Sequence, residues 1–242
     1  MGTPIKPYSH SDKGKKEQVA GMFDSIASKY DFLNHFLSLN IDKVWRRKVV
    51  RILSEKHPKR VLDVATGTGD LAIASLKCSP ERIDGIDISE GMLDVGKQKV
   101  LKKGFEKTIF LKKGDAENIP FDDNTFDAIT VAFGVRNFEN LDKGLAEMYR
   151  VLKPGGICLV LEFTMPQYFP VKQLYGFYFR YILPVFGKMI SKDNSAYTYL
   201  PESVKAFPQR KEFINKMSQA SFKDTKIKNL TFGVAAIYRG EK

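Results

Sequence analysis

The residues best suited to holding a ligand lie in Asp63-Val64-Ala65-Thr66-Gly67-Thr68-Gly69-Asp70. Gly67 and Gly69 let a backbone turn tightly and approach a ligand closely. Free amides at the helix start behind such a turn suit a carboxylate. Asp87 stands twenty residues after Gly67, where an acid can accept two hydrogen bonds from a ribose diol. These features fit any nucleoside ligand, dinucleotides included, and two more acids narrow the choice. Asp63 stands inside the strand end, where a dinucleotide fold expects an apolar residue, and there it can receive an α-amino group. Asp115, in Gly114-Asp115-Ala116, can accept from an adenine amino group while the amide of Ala116 donates to the ring. Adenosine carrying an amino-acid arm describes S-adenosylmethionine (SAM). Each residue also has a plainer reading: a tight turn for Gly67 and Gly69, a helix cap for Asp87, a turn for Asp115.

These residues need strands that end beside one another. Arg60–Val64, Arg82–Asp87, Thr108–Lys113, Phe126–Ala132 and Gly156–Phe163 read as strands. Leu71–Lys77, Gly91–Lys103 and Leu141–Leu152 read as the helices between them, with Lys153-Pro154-Gly155-Gly156 as a stop. This βαβαβ rhythm predicts a parallel sheet covered on both faces. Asp224–Leu230 and Gly233–Arg239 predict a closing hairpin after a helix over Pro208–Ser221. Upstream, Val19–Tyr30 has helical spacing, and a second helix over Asp42–Leu53 takes Asp42 as its cap. The expected organisation is one domain: a helical cap (1–58), a SAM-binding core (59–165), a substrate-side helical insertion (166–205) and a terminal helix with hairpin (206–242).

The chain has 242 residues and a net charge of +11. Residues 1–60 hold 13 basic and 6 acidic side chains, residues 61–162 hold 13 and 17, and residues 163–242 hold 13 and 5. Basic flanks around an acidic middle suit an anionic partner such as a membrane surface, or serve solubility alone. Cys78 and Cys158 form no metal-ligand spacing and read as small hydrophobes, so no metal and a reducing compartment are expected. Met1–Lys16 is polar and unlike a signal peptide, and Lys6 spoils a myristoylation signal. Leu174–Ile190 is the most apolar segment, but Arg180, Pro184 and Lys188 interrupt it. A cytoplasmic protein touching the inner face of a membrane is the expectation.

Phe126-Asp127-Ala128-Ile129 and Arg150-Val151-Leu152-Lys153-Pro154-Gly155-Gly156 resemble motifs of class I SAM-dependent methyltransferases. A narrower resemblance, over about residues 17–240, is to the demethylmenaquinone/ubiquinone C-methyltransferases. It rests on Tyr30-Asp31-Phe32-Leu33-Asn34, Leu37-Ser38-Leu39-Asn40, Trp45-Arg46, Ala65-Thr66-Gly67-Thr68-Gly69-Asp70, Asn124-Thr125-Phe126-Asp127, Phe133-Gly134-Val135-Arg136-Asn137 and Leu161-Glu162-Phe163. The resemblance implies an α/β Rossmann-like fold, with a seven-stranded, mostly parallel sheet, a C-terminal antiparallel hairpin and an N-terminal helical cap. It implies SAM as cofactor, held by Thr68, Asp87, Asp115 and Ala116. The family often has Ser where this chain has Ala132. The reaction implied is methyl transfer to a ring carbon of a 2-polyprenyl-1,4-naphthoquinol (demethylmenaquinol to menaquinol) or of the benzoquinol equivalent. A homodimer is compatible with it.

Methylation at carbon needs an electron-rich ring, and a hydroquinone becomes one when a hydroxyl loses its proton. Arg136 can stabilise that phenolate, or position a water that takes the proton, and Asn137 can hold the second oxygen. The plainer reading of Arg136 is an ion pair with Glu139 or Glu162. Tyr30 and Asp31 are further substrate-side candidates, and Leu174–Leu183 offers an apolar wall for a prenyl tail. Methylation of another small molecule or of nucleic acid is the alternative, the latter supported by net charge. No Asn-Pro-Pro-Tyr string or placed Cys serves a flipped base, so no nucleic-acid partner is expected. Asp63 and Asp115 argue against an NAD-dependent dehydrogenase, and the intact acids argue against a non-enzymatic SAM-fold protein.

Overall fold

The computed structural model describes residues 5–8, 11–182 and 195–242. Near-continuous apolar runs demand strands buried on both faces. They form β1 (Arg60–Val64), β2 (Arg82–Asp87), β3 (Ile109–Lys113), β4 (Phe126–Ala132) and β5 (Leu152–Phe163), followed by β6 (Lys223–Leu230) and β7 (Ala235–Glu241). The sheet order is β3-β2-β1-β4-β5-β7-β6. β1 to β5 run parallel, and β7 pairs antiparallel with both β5 and β6. This is the seven-stranded sheet with closing hairpin that the sequence predicts.

One face packs α2 (Ile41–Ser54), α3 (Asp70–Ser75) and α4 (Glu90–Lys102) through Trp45, Val49, Leu53, Leu71 and Val100. The other packs α5 (Leu141–Val151) and α8 (Lys211–Gln219) through Leu145, Met148, Phe213 and Met217. Between β5 and α8 lie α6 (Val171–Phe177), extended by a π-helical turn over Tyr178–Ile182, and α7 (Ser195–Ala206). The insertion expected over 166–205 is thus helical over Val171–Ile182, and residues 183–194 lie outside the described residues.

Three local expectations are corrected. α1 spans Lys15–Leu37, well beyond Val19–Tyr30. Its start has no side-chain cap of its own; the Lys15 amide donates instead to Glu139 Oε1 at 3.0 Å, a contact made only by folding. Asp42 does not cap α2. Asn40 holds that place in a left-handed conformation, and Asp42 turns inward to accept from Ser38 Oγ (2.6 Å) and Arg46. Lys153-Pro154-Gly155-Gly156 does not precede β5 but bulges within it, between the Phe126–Leu152 and Ala128–Ile157 pairs, with Gly155 at φ +77°.

The strand order reverses between β1 and β4, and a crevice opens outside the carboxyl ends of strands at such a point. The turn after β1 (Ala65–Gly69) and the loop after β4 (Phe133–Asn137) meet there. Gly134 makes the approach close enough: a Cβ on it would lie 2.5 Å from Ala65 Cβ and 3.2 Å from Val131 Cγ1. Gly134→Ala should therefore push the two loops apart and destabilise by about 1–3 kcal/mol, as overpacking does. Gly21, inside α1, has open space around its Cβ position, so Gly21→Ala should stabilise by about 0.5–1 kcal/mol. Denaturant unfolding of both variants checks the opposite signs.

Candidate active site

An open hollow of about 650 Å³, counting the solvent at its mouth, lies in the crevice. Its floor is Ala65 and Gly67 after β1, Asp87 at the end of β2, Asp115 and Ala116 after β3, and Gly134 and Asn137 after β4. Its roof is α1, through Lys16, Val19, Phe23 and Tyr30. The residues read from the sequence as cofactor-binding come from three strand ends, those of β1, β2 and β3, and the loop after β4 adds Gly134 and Asn137.

Gly67 (φ +55°) and Gly69 (φ +79°) both take the left-handed conformation that favours glycine. The Gly67 amide donates to Asp87 Oδ2 at 2.8 Å and the Ser89 amide to Oδ1 at 2.9 Å. Asp87 is therefore fixed by backbone donors, with further lone pairs left for a ligand. Burial holds its carboxyl above the usual range, against those hydrogen bonds. Ser89, not Asp87, caps α4. Asp115 accepts from the Glu117 amide (2.9 Å) and from Lys16 Nζ of the roof (2.7 Å). Asn137 is buried, and its Oδ1 has no hydrogen-bond partner. A buried orphan acceptor facing a cavity is a position awaiting a donor.

Asp63 and Thr68 lie in a smaller cavity beyond the main hollow, sharing Tyr30, Ala65, Gly67 and Ala132 with it. Asp63 accepts from Thr66 Oγ1 and Thr130 Oγ1, both at 2.6 Å, and burial pushes its carboxyl up to about 6. Thr68 donates to Asp31 Oδ1 (2.5 Å) and accepts from Lys99 Nζ (3.1 Å). Arg46 lines the same cavity; it is buried, held by Asp42, and its Nε has no partner. A carboxylate and a guanidinium across one small cavity match the two charges of a zwitterionic amino-acid arm. Sequence reasoning placed Trp45-Arg46 only within a family string, because nothing local brings residue 46 to the glycine turn.

A second cavity adjoins the hollow and shares Phe23, Tyr30 and Phe133 with it. Its wall is apolar (Met22, Ile26, Leu33, Leu37, Phe163) apart from Tyr30, Asn34, Arg136 and Tyr199. Val135–Asn137 forms a single 3₁₀ turn that sends Arg136 here and Asn137 into the hollow. Arg136 Nη1 pairs with Glu162 Oε1 at 2.8 Å, so one of the two ion pairs read from the sequence is made. It also donates to the Phe133 carbonyl, and its Nε is an orphan. Burial raises the Glu162 carboxyl, and Arg136 opposes that shift. Burial likewise raises Tyr30, so it stays protonated as a donor. Tyr199, whose buried hydroxyl lacks a partner, was not visible from sequence; α7 delivers it from far along the chain.

Fold and pocket together define a SAM-dependent methyltransferase. Solved structures with the same fold include a SAM-dependent methyltransferase of Thermotoga maritima (TM-score 0.63, 19% identity, covering 92% of this chain and 99% of that one). Another is a SAM-dependent methyltransferase of Aquifex aeolicus (TM-score 0.57, 22% identity, covering 78% and 87%). The chain belongs to the ubiE/COQ5 methyltransferase family, whose sequence model matches residues 11–242. A Bacteroides fragilis protein named demethylmenaquinone methyltransferase is 52% identical over 239 residues, 98% of this chain and 97% of its own. A Geotalea daltonii protein named ubiquinone/menaquinone biosynthesis C-methyltransferase UbiE is 48% identical over 230 residues, 94% and 97%. Asp63, Asp87, Asp115 and the unpartnered Asn137 Oδ1 fit the family's cofactor: three acceptor carboxylates and an orphan acceptor line cavities that a glycine cradle joins.

Asp87→Ala should weaken SAM binding at least tenfold, about 1.4 kcal/mol, because two ribose hydroxyls lose their acceptor. Isothermal titration reads this directly. The amino-acid arm can be tested separately with S-adenosylhomocysteine and with methylthioadenosine, which lacks the arm. Arg46→Gln should weaken the former by roughly tenfold or more and leave the latter within about threefold. Asp63 takes up a proton below about pH 6 and then offers no charge to an ammonium. Affinity for the homocysteine form should thus fall as pH drops through that value, approaching roughly tenfold per unit, while methylthioadenosine stays flat. A parallel fall for both ligands would remove the assignment.

Proposed function

We propose that this protein transfers the methyl group of SAM to a ring carbon of a prenylated 1,4-naphthoquinol, converting demethylmenaquinol to menaquinol. The carrying observation is the apolar cavity that adjoins the cofactor hollow and holds one guanidinium, Arg136. The relatives' names agree with the reading, and the naphthoquinol is preferred because the 52% identical relative is named for it. We place the enzyme at the cytoplasmic face of an anionic membrane, where such lipids reside.

When bound, SAM supplies a methyl group on a positively charged sulfur. Every other task falls to the chain. Asp63 and Arg46 hold the two ends of the amino-acid arm, Asp87 the ribose, and Asp115 with the Ala116 amide the adenine. Asn137 Oδ1 serves the ligand in the hollow, in place of the substrate-oxygen role that its sequence position suggested. Gly67 and Gly69 allow the turn beneath, and Thr68 ties it to Asp31 and Lys99. On the substrate side, Tyr30, Phe23 and Phe133 line both cavities, so the quinol ring must pass the methyl donor along them. Arg136 donates toward the hydroxyl that loses its proton. The planar, permanently charged group stabilises a phenolate, which raises electron density at the neighbouring carbon. Water receives the hydroxyl proton. Once the ring carbon holds the methyl group, its own hydrogen leaves as a proton and the oxygen is reprotonated, which restores the aromatic quinol, while the apolar wall excludes competing water from the methyl path.

Glu162 complicates the obvious test, since Arg136→Leu leaves a buried carboxylate without its counter-charge and should destabilise by about 3–5 kcal/mol. Replacing both partners avoids this, because apolar residues in place of a buried pair are often neutral. Arg136→Leu/Glu162→Leu should keep the melting temperature and hold SAM affinity within about threefold, yet cut single-turnover methyl transfer by roughly two to three decades. Arg136→Lys should recover only part of the rate, having the charge without the fork. A double variant that regains both stability and turnover would leave Arg136 a purely structural role.

A further inference from the structure

The four most exposed large apolar side chains among the described residues stand on segments that meet at the edge of the sheet that carries the active site. Phe163 ends β5 there, and Leu230 and Ala235 bring the β6–β7 connection to the same edge. Contacts close the face into a ring. Tyr178 Oη donates to the Leu37 carbonyl (2.8 Å), joining the α6 extension to the end of α1. Trp45 Nε1 donates to Thr231 Oγ1 (2.8 Å), joining α2 to the β6–β7 tip. Thr164 Oγ1 donates to the Gly233 carbonyl (2.7 Å), joining that tip to the segment leading to α6. Around the ring stand Leu39 (78% exposed), Tyr168 (77%), Phe169 (81%) and Phe232 (81%), with Leu174 and Phe177 beside them. The apolar cavity borders the ring through Leu37 and Phe163.

Two of these residues contradict their own backbone. Leu39 (φ 51°) and Phe232 (φ 54°) sit at turn tips in the left-handed conformation. Glycine or asparagine adopts it readily, whereas a bulky side chain there is an outlier. An exposed Leu and an exposed Phe at such positions gain nothing in the isolated chain, from conformation or from burial. Charge completes the pattern. Residues 32–41, 163–182 and 231–238 contain no Asp or Glu. Lys43 and Arg47 on α2, Lys172 and Arg180 along α6 and its extension are exposed beside them. Apolar tips within a cationic, acid-free border complement an anionic bilayer. No helix among the described residues is long and apolar enough to cross a membrane.

We infer that this ring docks on the surface of an anionic bilayer, with Leu39 and Phe232 as its inserting tips. The inference rests on the quinol reading in one respect: the cavity bordered by the ring then receives its lipid substrate from the bilayer itself. Docking itself needs no quinol.

Flotation of the full chain with phosphatidylcholine vesicles, with and without phosphatidylglycerol, tests it at low and high salt. Binding should require the anionic lipid and weaken with salt as the charges are screened. Leu39→Asn/Phe232→Asn suits both backbones, so melting temperature should hold or rise, while partition to anionic vesicles should fall roughly tenfold or more. Lys172→Glu/Arg180→Glu should also reduce partition, most at low salt. Methylation of a short-tailed, water-soluble quinol should be unchanged in the Asn variant, while a long-tailed quinol delivered in vesicles should react more slowly. Wild-type protein that does not float at low salt overturns the inference, as does an Asn variant that floats equally well. A variant that instead alters the sedimenting mass with vesicle binding unchanged makes the face a self-association surface and also overturns it. Loss of short-tail methylation in wild-type protein would count against the quinol reading, not the docking face.

Discussion

Charge withdrawn from water at the ends of buried strands is the constraint around which this molecule is arranged. β1 holds Asp63 near its end, β2 ends in Asp87, and β5 carries Glu162 next to its last residue. An unpaired buried carboxylate costs several kcal/mol, so each must find partners or take up a proton. Each solves the problem differently. Asp63 takes two hydroxyls, Asp87 two backbone amides, and Glu162 a guanidinium. Burial raises all three carboxyls, Asp63 up to about 6 despite its two hydroxyls. A ligand carrying an ammonium supplies what the hydroxyls lack. On the proposed placement of the amino-acid arm, the cofactor completes the electrostatics of the fold, and its binding free energy includes relief of that burial.

α1 is the second half of the same arrangement. Its low amphipathicity would not make a 23-residue helix stable alone. It is held by polar contacts to the strand-end loops. Lys15 Nζ donates to the Arg136 and Phe138 carbonyls, Lys16 Nζ to Asp115 and Glu117, and Asp24 accepts from Ser89 Oγ and the Gly91 amide. Asp31 reaches Thr68 and Lys99. The roof is thus pinned in part by residues that line the hollow, Asp115, Glu117 and Phe138. Lys16 and Asp115 are each about a third exposed, and a pair at that depth is worth little. With adenine at Asp115 as proposed, Lys16 can be displaced without unseating the helix, because the other contacts of α1 remain.

What was legible in the sequence follows from how local each cause is. Strands buried on both faces announce themselves as apolar runs, and Phe126–Ala132 emerges as read. The glycine turn and the acids at strand ends were equally plain, since a buried polar residue in an apolar run breaks the pattern. Features decided by distant partners were not legible. The start of α1 depends on Glu139, and the inward turn of Asp42 on Arg46 and His35. Asn137 parts from Arg136 because one 3₁₀ turn sends neighbouring side chains to opposite cavities. Arg46 and Tyr199 come from elements whose own patterns report packing alone.

Backbone strain marks where packing gives way to function. Ala65 (φ 51°) and Phe133 (φ 60°) follow β1 and β4 directly, flanking the point where strand order reverses. Each conformation costs on the order of 1–3 kcal/mol for a residue with a side chain. Glycine would relieve it, so the side chains themselves must be what is kept. Ala65 Cβ is the surface against which Gly134 closes. The Phe133 ring stacks on Phe163 with centroids 4.4 Å apart and lies 6.0 Å from Trp45. It lines both the cofactor hollow and the apolar cavity. A glycine there would merge two chambers of different polarity and admit water between methyl donor and ring. The strained aromatic is the partition that lets a charged cofactor and a lipid-like substrate meet at one atom while each keeps its own solvent.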